Sequence, residues 1–271
     1  MMLTDYHTHT ERGPYTVPWL ERFLSVASER GIAEYGVSEH GYRFKQTGHL
    51  LDNPWTRERR TEDLDAYAEM IMQARSIGHN VKFGLELDYI PGTERQIAEF
   101  IKQYPFDYVI GSVHWLGGFG FDLSEMRSQW SLRDLKQTYD EYFGIVTSMV
   151  EAELFDFIGH PDVIKVFGDE PDDQMFLQEW YERLAELFEQ RKTVIEISTA
   201  GLRKPVAKLY PAPDLLAACA KRHVPVVINS DAHRPEDVGA DYDQAIAFAK
   251  QAGYQTLVTF TERRRSSEPL G

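Results

Sequence analysis

The 271-residue sequence predicts an α/β fold in which seven β/α units close into a parallel barrel. Three observations predict it. Short apolar runs alternate with segments whose apolar residues recur at helical spacing, the pattern of parallel strands joined by crossover helices. Run after run ends in a histidine or an acidic residue, so polar groups gather at the carboxyl ends of the strands, where the loops of a barrel converge. No composition shift or low-complexity stretch divides the chain, so one domain is expected over residues 1–271. An open, doubly wound sheet is the alternative. It would offer a single crevice and would not bring residues from so many strands together.

Each element has its own justification. Leu3 to Thr10 reads as a first strand carrying His7 and His9, two residues apart and therefore on one face. A Gly/Pro loop follows, then an amphipathic helix from Trp19 to Arg30 with Leu20, Phe23, Leu24 and Ala27 on one side and Gly31 as its stop. A-E-Y-G-V-S-E-H is the second strand, ending in Glu39 and His40. The polar stretch Gly41 to Glu62 exceeds a simple connector and is expected to cover something. A helix from Asp63 to Ile77 ends at Gly78, and V-K-F-G-L-E-L-D-Y is the third strand, with Glu86. Thr93 to Lys102 is helical, and F-D-Y-V-I-G-S-V-H-W is the fourth strand, ending near His114. A second insertion, 116–131, contains G-G-F-G. Leu132 to Glu151 is a long helix, and L-F-D-F-I-G-H-P-D is the fifth strand, with His160. Helix Gln174 to Gln190 leads to the sixth strand, T-V-I-E-I-S-T-A-G-L-R-K, ending near Arg203. Helix Pro213 to Arg222 leads to the seventh, V-P-V-V-I-N-S-D-A-H-R-P, with Asp231 and His233. A helix from Tyr242 to Gln251 and an apolar run from Thr256 to Phe260 follow, and the tail E-R-R-R-S-S-E-P-L-G reads as a solvated, frayed end.

Composition narrows the function. A formal net charge of −14 argues against a nucleic-acid backbone or an anionic membrane as the main partner. An anionic substrate would need locally concentrated cations. With one cysteine, Cys219 in an apolar helical run, no intrachain disulfide can form. The first residues lack a basic-then-apolar signal and no apolar run nears membrane-spanning length, which predicts a cytoplasmic protein. No oligomeric state follows from these features.

Six of the nine histidines, His7, His9, His40, His114, His160 and His233, fall at or just past strand ends; only His49, His79 and His223 lie elsewhere. Solvated surface histidines would not sort in this way. With Glu86 and Asp231 they form a donor set of imidazoles and carboxylates suited to Zn, Mn or Fe. The set is too large for one ion, so two to three divalent ions are expected, with Glu86 able to bridge two. A hydrogen-bonded polar barrel mouth without metal is the bland alternative, and unpaired polar clusters are costly to hold together.

The segments D-Y-H-T-H-T, S-E-H-G, G-L-E-L-D, I-G-S-V-H-W, I-G-H-P-D, I-S-T-A-G-L-R-K-P and N-S-D-A-H-R-P-E-D-V-G span Asp5 to Gly239. Together they resemble the polymerase-and-histidinol-phosphatase (PHP) superfamily, and A-G-L-R-K-P resembles its histidinol-phosphate phosphatase branch. The resemblance implies a distorted (β/α)7 barrel and a trinuclear metal site. By position it assigns His7, His9, Glu86 and Asp231 to one ion, Glu86, His114 and His160 to a second, and His40 and His233 to a third. Relatives carry a further His or Asp shortly after H-x-H; here Tyr15 stands at the His position, and Glu11 is the nearest carboxylate that could ligate the third ion or orient a water on it.

The expected chemistry is metal-assisted hydrolysis of a phosphate monoester, most directly L-histidinol phosphate. Glu86, Asp231 and Arg203 are the expected catalytic residues. Arg203, just past the sixth strand, is the first choice for a forked guanidinium on the phosphate, with Arg43 as a second contact. Two alternatives stay open: a PHP-type phosphatase or phosphodiesterase on another small ester such as a nucleotide, and a non-catalytic metal-binding barrel.

Overall fold

The computed structural model describes residues 2–270; Met1 and Gly271, the ends of the expected span, lie outside them. Seven parallel strands form the barrel: β1 (Leu3–Asp5), β2 (Ile32–Val37), β3 (Val81–Asp88), β4 (Tyr108–Ser112), β7 (Phe157–Ile158), β8 (Ile195–Ser198) and β9 (Val226–Asn229), hydrogen-bonded in that order. Between β9 and β1 the closure runs through the residues just beyond both strands. His9 N donates to Ala232 O at 2.7 Å, Ala232 N to His7 O at 3.3 Å, and Tyr6 N to the Asn229 side chain at 2.8 Å. The stretch Tyr6–Thr10, expected as strand, is thus a seam that ties the two edges, and this is the segment that carries His7 and His9.

Helices α1 (Val17–Glu29), α3 (Leu64–Ser76), α4 (Glu94–Ile101), α5 (Leu135–Glu151), α6 (Gln174–Gln190), α7 (Pro213–Lys221) and α8 (Tyr242–Ala252) lie where the apolar periodicity placed helices. Asp63, Asp134 and Asp173 cap three of them by accepting from backbone amides in the first turn, which is why α5 starts at Leu135 and not at Leu132. Cys219 is buried on α7, as an apolar residue would be.

The two insertions are ordered. Residues 41–62 fold into two short 3₁₀ turns and helix α2 (Pro54–Arg59), whose capping box joins Asn53 and Thr56. The second insertion begins with the ribbon β5 (Trp115–Leu116) and β6 (Phe119–Gly120) and continues as a 3₁₀ stretch, Ser124–Leu132.

The tail differs from expectation. Arg264–Pro269 is strand β11, paired antiparallel with β10 (Thr256–Thr261) over six residue pairs, and not a frayed end. The β11 arginines are exposed, while Val258 and Phe260 of β10 are buried against the barrel's amino-terminal end. There they join Tyr6, Tyr108, Ile110, Phe157, Val194 and Val227 in an apolar plug. The Tyr108 ring fills the middle of the barrel, and its hydroxyl donates to Tyr6 O at 2.5 Å. Gly36 and Gly84 make room for it: a Cβ at either position would come within 2.3 or 2.2 Å of Tyr108 atoms. This packed floor supports the polar layer at the opposite end.

Candidate metal centre

Glu86 stands at the centre of that layer. It is buried and lies near the end of β3, facing inward. Five imidazoles surround it. His40 Nδ1 lies 2.6 Å from Oε2, His7 Nε2 and His160 Nε2 each 3.3 Å from Oε1, His114 Nε2 3.7 Å from Oε1, and His9 Nε2 3.7 Å from Oε2. Asp231 Oδ1 lies 3.3 Å from both His9 Nε2 and His233 Nε2, and 3.7 Å from His7 Nε2. The His9, His40 and His233 rings form a triangle, with His9 4.1 Å from His40 and 4.5 Å from His233 and the latter two 5.6 Å apart between centroids. All eight residues read as strand-end donors therefore converge.

Local backbone shape explains part of the convergence. His160 and Asp231 both have positive φ, 23° and 50°, just after β7 and β9. Non-glycine residues hold such conformations only where surrounding contacts over-determine them. At His160 the contact is Glu196, whose Oε2 accepts from His160 N at 2.7 Å.

A further set of acidic residues orients the imidazoles from behind. Glu196 Oε1 faces His7 Nδ1 at 2.8 Å, Asp88 Oδ1 faces His114 Nδ1 at 2.8 Å, and Glu11 Oε1 faces His233 Nδ1 at 3.0 Å. Each carboxylate engages Nδ1 and leaves Nε2 toward the centre, the usual arrangement behind metal-bound histidine. Sequence reading missed Glu196 and Asp88. The available signal was an acidic residue flanked by apolar ones inside a strand of a parallel sheet, where both faces are buried. Asp5 has a related supporting role, accepting from Ser230 N and Gly239 N at 3.0 Å each and so anchoring the loop after β9.

The electrostatics fit a cation. Burial pushes the Glu86 carboxyl up, but His40, His7 and His114 outweigh it and hold it well below the usual range. Burial opposes protonation of His114, yet Asp88 and Glu86 raise it to about 10. Burial, then the neighbouring His40 and His233, lowers His9 to about 3. Protons here balance carboxylates in the way that metal ions would. The hydrogen bonds agree: His7 Nε2, both ring nitrogens of His9, His40 Nδ1 and both oxygens of Glu86 are buried without a hydrogen-bond partner. Unsatisfied buried donors and acceptors aimed at one another are costly unless an ion occupies the space between them. Donor atoms lie within 4.8 Å of one another in several groups, among them His7–His9–Glu86, Glu86–His114–His160 and His9–His40–His233.

Comparison with known proteins agrees with this geometry. A model of the PHP domain matches residues 5–200. The chain belongs to the PHP domain family. A PHP relative from Deinococcus radiodurans, named "Probable histidinol-phosphatase", is 34% identical over 265 residues, covering 97% of this chain and 98% of its own. The "Histidinol-phosphatase" of Bacillus subtilis is 25% identical over 271 residues, covering 90% and 98%. Among solved structures, the histidinol phosphate phosphatase of Lactococcus lactis, complexed with Zn, L-histidinol and phosphate, superposes with a TM-score of 0.75 at 22% identity, over 97% of this chain and 98% of that one. The seven-stranded PHP barrel is thereby shared in full.

The remaining expected residues are placed less directly. Beside the metal centre lies a cavity of about 260 Å³ lined by His40, His114, His160, Asp231 and His233 together with Asp122, Lys204 and Tyr210. Arg203 is absent from its lining. Its guanidinium donates to Ser230 O, and at 3.3–3.4 Å to Thr199 and Asp231 O. Lys204 is the one Lys or Arg on the cavity wall among the described residues. Arg43 is not brought to the cavity either: Glu62 takes its guanidinium and also accepts from the Tyr15 hydroxyl. Tyr15 is thus turned to Glu62, with burial first and Glu39 and Glu62 next holding its proton on. No described helix is long and apolar enough to cross a membrane.

Proposed function

We propose that this chain hydrolyses L-histidinol phosphate to L-histidinol and phosphate with two to three divalent ions, Zn, Mn or Fe, held at the strand ends. The observation that carries the reading is the convergence of unpartnered, buried imidazole nitrogens of His7, His9 and His40 on the Glu86 carboxylate. The Deinococcus relative, similar over nearly the whole of both chains, supports the substrate. His7, His9, Glu86 and Asp231 would hold one ion, Glu86, His114 and His160 a second, and His40 and His233 a third. Glu11, with Oε1 3.0 Å from His233 Nδ1 and Oε2 buried without a partner, would ligate the third ion or orient a water on it. When bound, the ions supply charge neutralisation for the phosphoryl group and a nucleophile at neutral pH.

The chain's own groups do the positioning. Glu196 and Asp88 fix the tautomers of His7 and His114 so that Nε2 faces inward. Lys204 presents a cation to the cavity. Arg203 holds the backbone around Asp231 by donating to Ser230 O and Asp231 O, with Asp237 and Asp241 within 4 Å of its guanidinium.

Chelator-treated protein should lose all turnover and regain it with Mn or Zn. A panel of histidinol phosphate, p-nitrophenyl phosphate and nucleotides should give the highest kcat/KM for histidinol phosphate. Full activity without metal rejects the mechanism; a preferred nucleotide rejects the substrate and leaves the chemistry standing.

A further inference from the structure

Tyr210 lines the cavity beside the proposed metal centre. It is 1% exposed, and its backbone is pinned to the end of β8 in both directions: Ser198 N donates to Tyr210 O at 2.8 Å and Tyr210 N to Ser198 O at 3.1 Å. The ring is held on several sides. The His160 ring lies edge-on with centroids 6.3 Å apart, and Lys165 Nζ sits 5.3 Å from the ring centroid. Lys165 is itself fixed by Asp162 at 2.6 Å, and the same carboxylate accepts from Ala212 N at 2.7 Å. Against the ring passes the turn at Gly201, where a Cβ would lie 3.0 Å from the tyrosine and 2.0 Å from Lys208 O. Only glycine lets that turn run so close.

This immobilised side chain has a buried hydroxyl with no hydrogen-bond partner. Other buried tyrosines use theirs: Tyr67 donates to Val37 O and Gly84 O, Tyr108 to Tyr6 O, and Tyr242 to Thr4 O. Among the described residues one other tyrosine hydroxyl, that of Tyr254, is buried unpartnered, and it lines a separate cavity with Val224 and Thr256. A buried phenol normally finds a partner. Tyr210 lines the cavity, and a ligand held there would provide one.

We propose that Tyr210 is a catalytic residue whose hydroxyl donates a hydrogen bond to a non-bridging oxygen of the phosphoryl group. The inference rests on the phosphatase reading above. A phosphoryl group at this centre offers acceptors only, and Tyr210 adjoins His160, a proposed ligand of the second ion. Burial, then the field of Asp162, Asp231 and Asp122, keeps the phenol protonated and therefore a donor. A neutral donor suits this place, since it adds to the transition state without repelling the ions.

The test is Tyr210→Phe in the metal-loaded protein, which keeps the ring and removes only the hydroxyl. Three quantities are read: kcat/KM on histidinol phosphate and on p-nitrophenyl phosphate, the Kd of inorganic phosphate by calorimetry, and metal content with Tm. The expected result is a fall of about tenfold or more on both esters, a parallel weakening of phosphate binding, and unchanged metal content and Tm. Unchanged phosphate affinity overturns the proposal, as does a loss confined to histidinol phosphate, which would place the hydroxyl on the organic part. If wild-type protein ignores histidinol phosphate, the substrate reading fails alone, and the p-nitrophenyl phosphate and phosphate-binding arms still decide the role of Tyr210.

Discussion

Glu196 joins more of the site than any other side chain outside the proposed ligands. One oxygen faces His7 Nδ1 and accepts from Asn229 Nδ2 at 2.7 Å, while the other accepts from the His160 amide. A single carboxylate thus sets the tautomer of one ligand and the backbone of another. Glu196→Gln keeps the volume but removes the charge and turns one acceptor into a donor. Metal affinity should fall about 10–100-fold, measured by chelator competition; wild-type affinity would show that the His7 contact is incidental. The proposed ligands were legible in the sequence because they cluster at run ends and in H-x-H, where strand periodicity alone puts two imidazoles on one face. Glu196 and Asp88 were passed over although Asp88 shares the face of Glu86 by strand period; neither is followed by a histidine in its own segment, and the imidazoles they hold, His7 and His114, come from other strands. Arg43 illustrates the converse. It was the second candidate for a phosphate contact, but Glu62, 19 residues on, takes its guanidinium, and that pairing is invisible without the folded insertion.

At the scale of elements, β2, β3 and β4 are matched through one aromatic ring. Gly36 and Gly84 lie against Tyr108, and the space that their missing side chains leave is the space the ring takes. Gly84→Ala would set a methyl 2.2 Å from a ring carbon. Overpacking of this kind costs about 1–3 kcal/mol or more, read as a lower urea midpoint. Combining it with Tyr108→Leu should cost less than the sum of the two single changes, because the clash partner is gone; strict additivity would argue that the sheet yields elsewhere. The long helices were legible because an apolar stripe at helical period survives any tertiary context. Helix α2 was not: its Pro54–Arg59 stretch buries only Thr56 and owes its start to the Asn53–Thr56 capping box, a signal submerged in a run of charged residues. β7, with two residues, left its mark through I-G-H-P-D and not through periodicity.

Over the whole molecule, the barrel carries polar donors at one end and an apolar plug at the other, and the β10–β11 hairpin supplies part of that plug. The tail reads as frayed in sequence because its charged and serine-rich run shows no apolar alternation; what holds it is the backbone ladder to β10 and the buried Leu270 at its end. Phe260 packs on Tyr6 at 5.9 Å, on Phe157 at 5.5 Å and on Tyr108 at 6.3 Å between ring centroids. Phe260→Ala should lower stability by about 3–5 kcal/mol, seen in chemical unfolding, with metal content per folded molecule retained. Loss of metal from still-folded protein would mean that floor and site are not separable. The hairpin also sets an order of events. Phe260 N reaches the Tyr6 hydroxyl across 254 positions of sequence, and Tyr6 is the residue next to His7. During ribosomal synthesis His7 and His9 emerge among the first residues, whereas Val258 and Phe260, the hairpin's share of the layer beneath them, emerge among the last. A ribosome stalled before β10 would therefore hold a chain that has made every proposed ligand while the floor beneath them still lacks Val258 and Phe260.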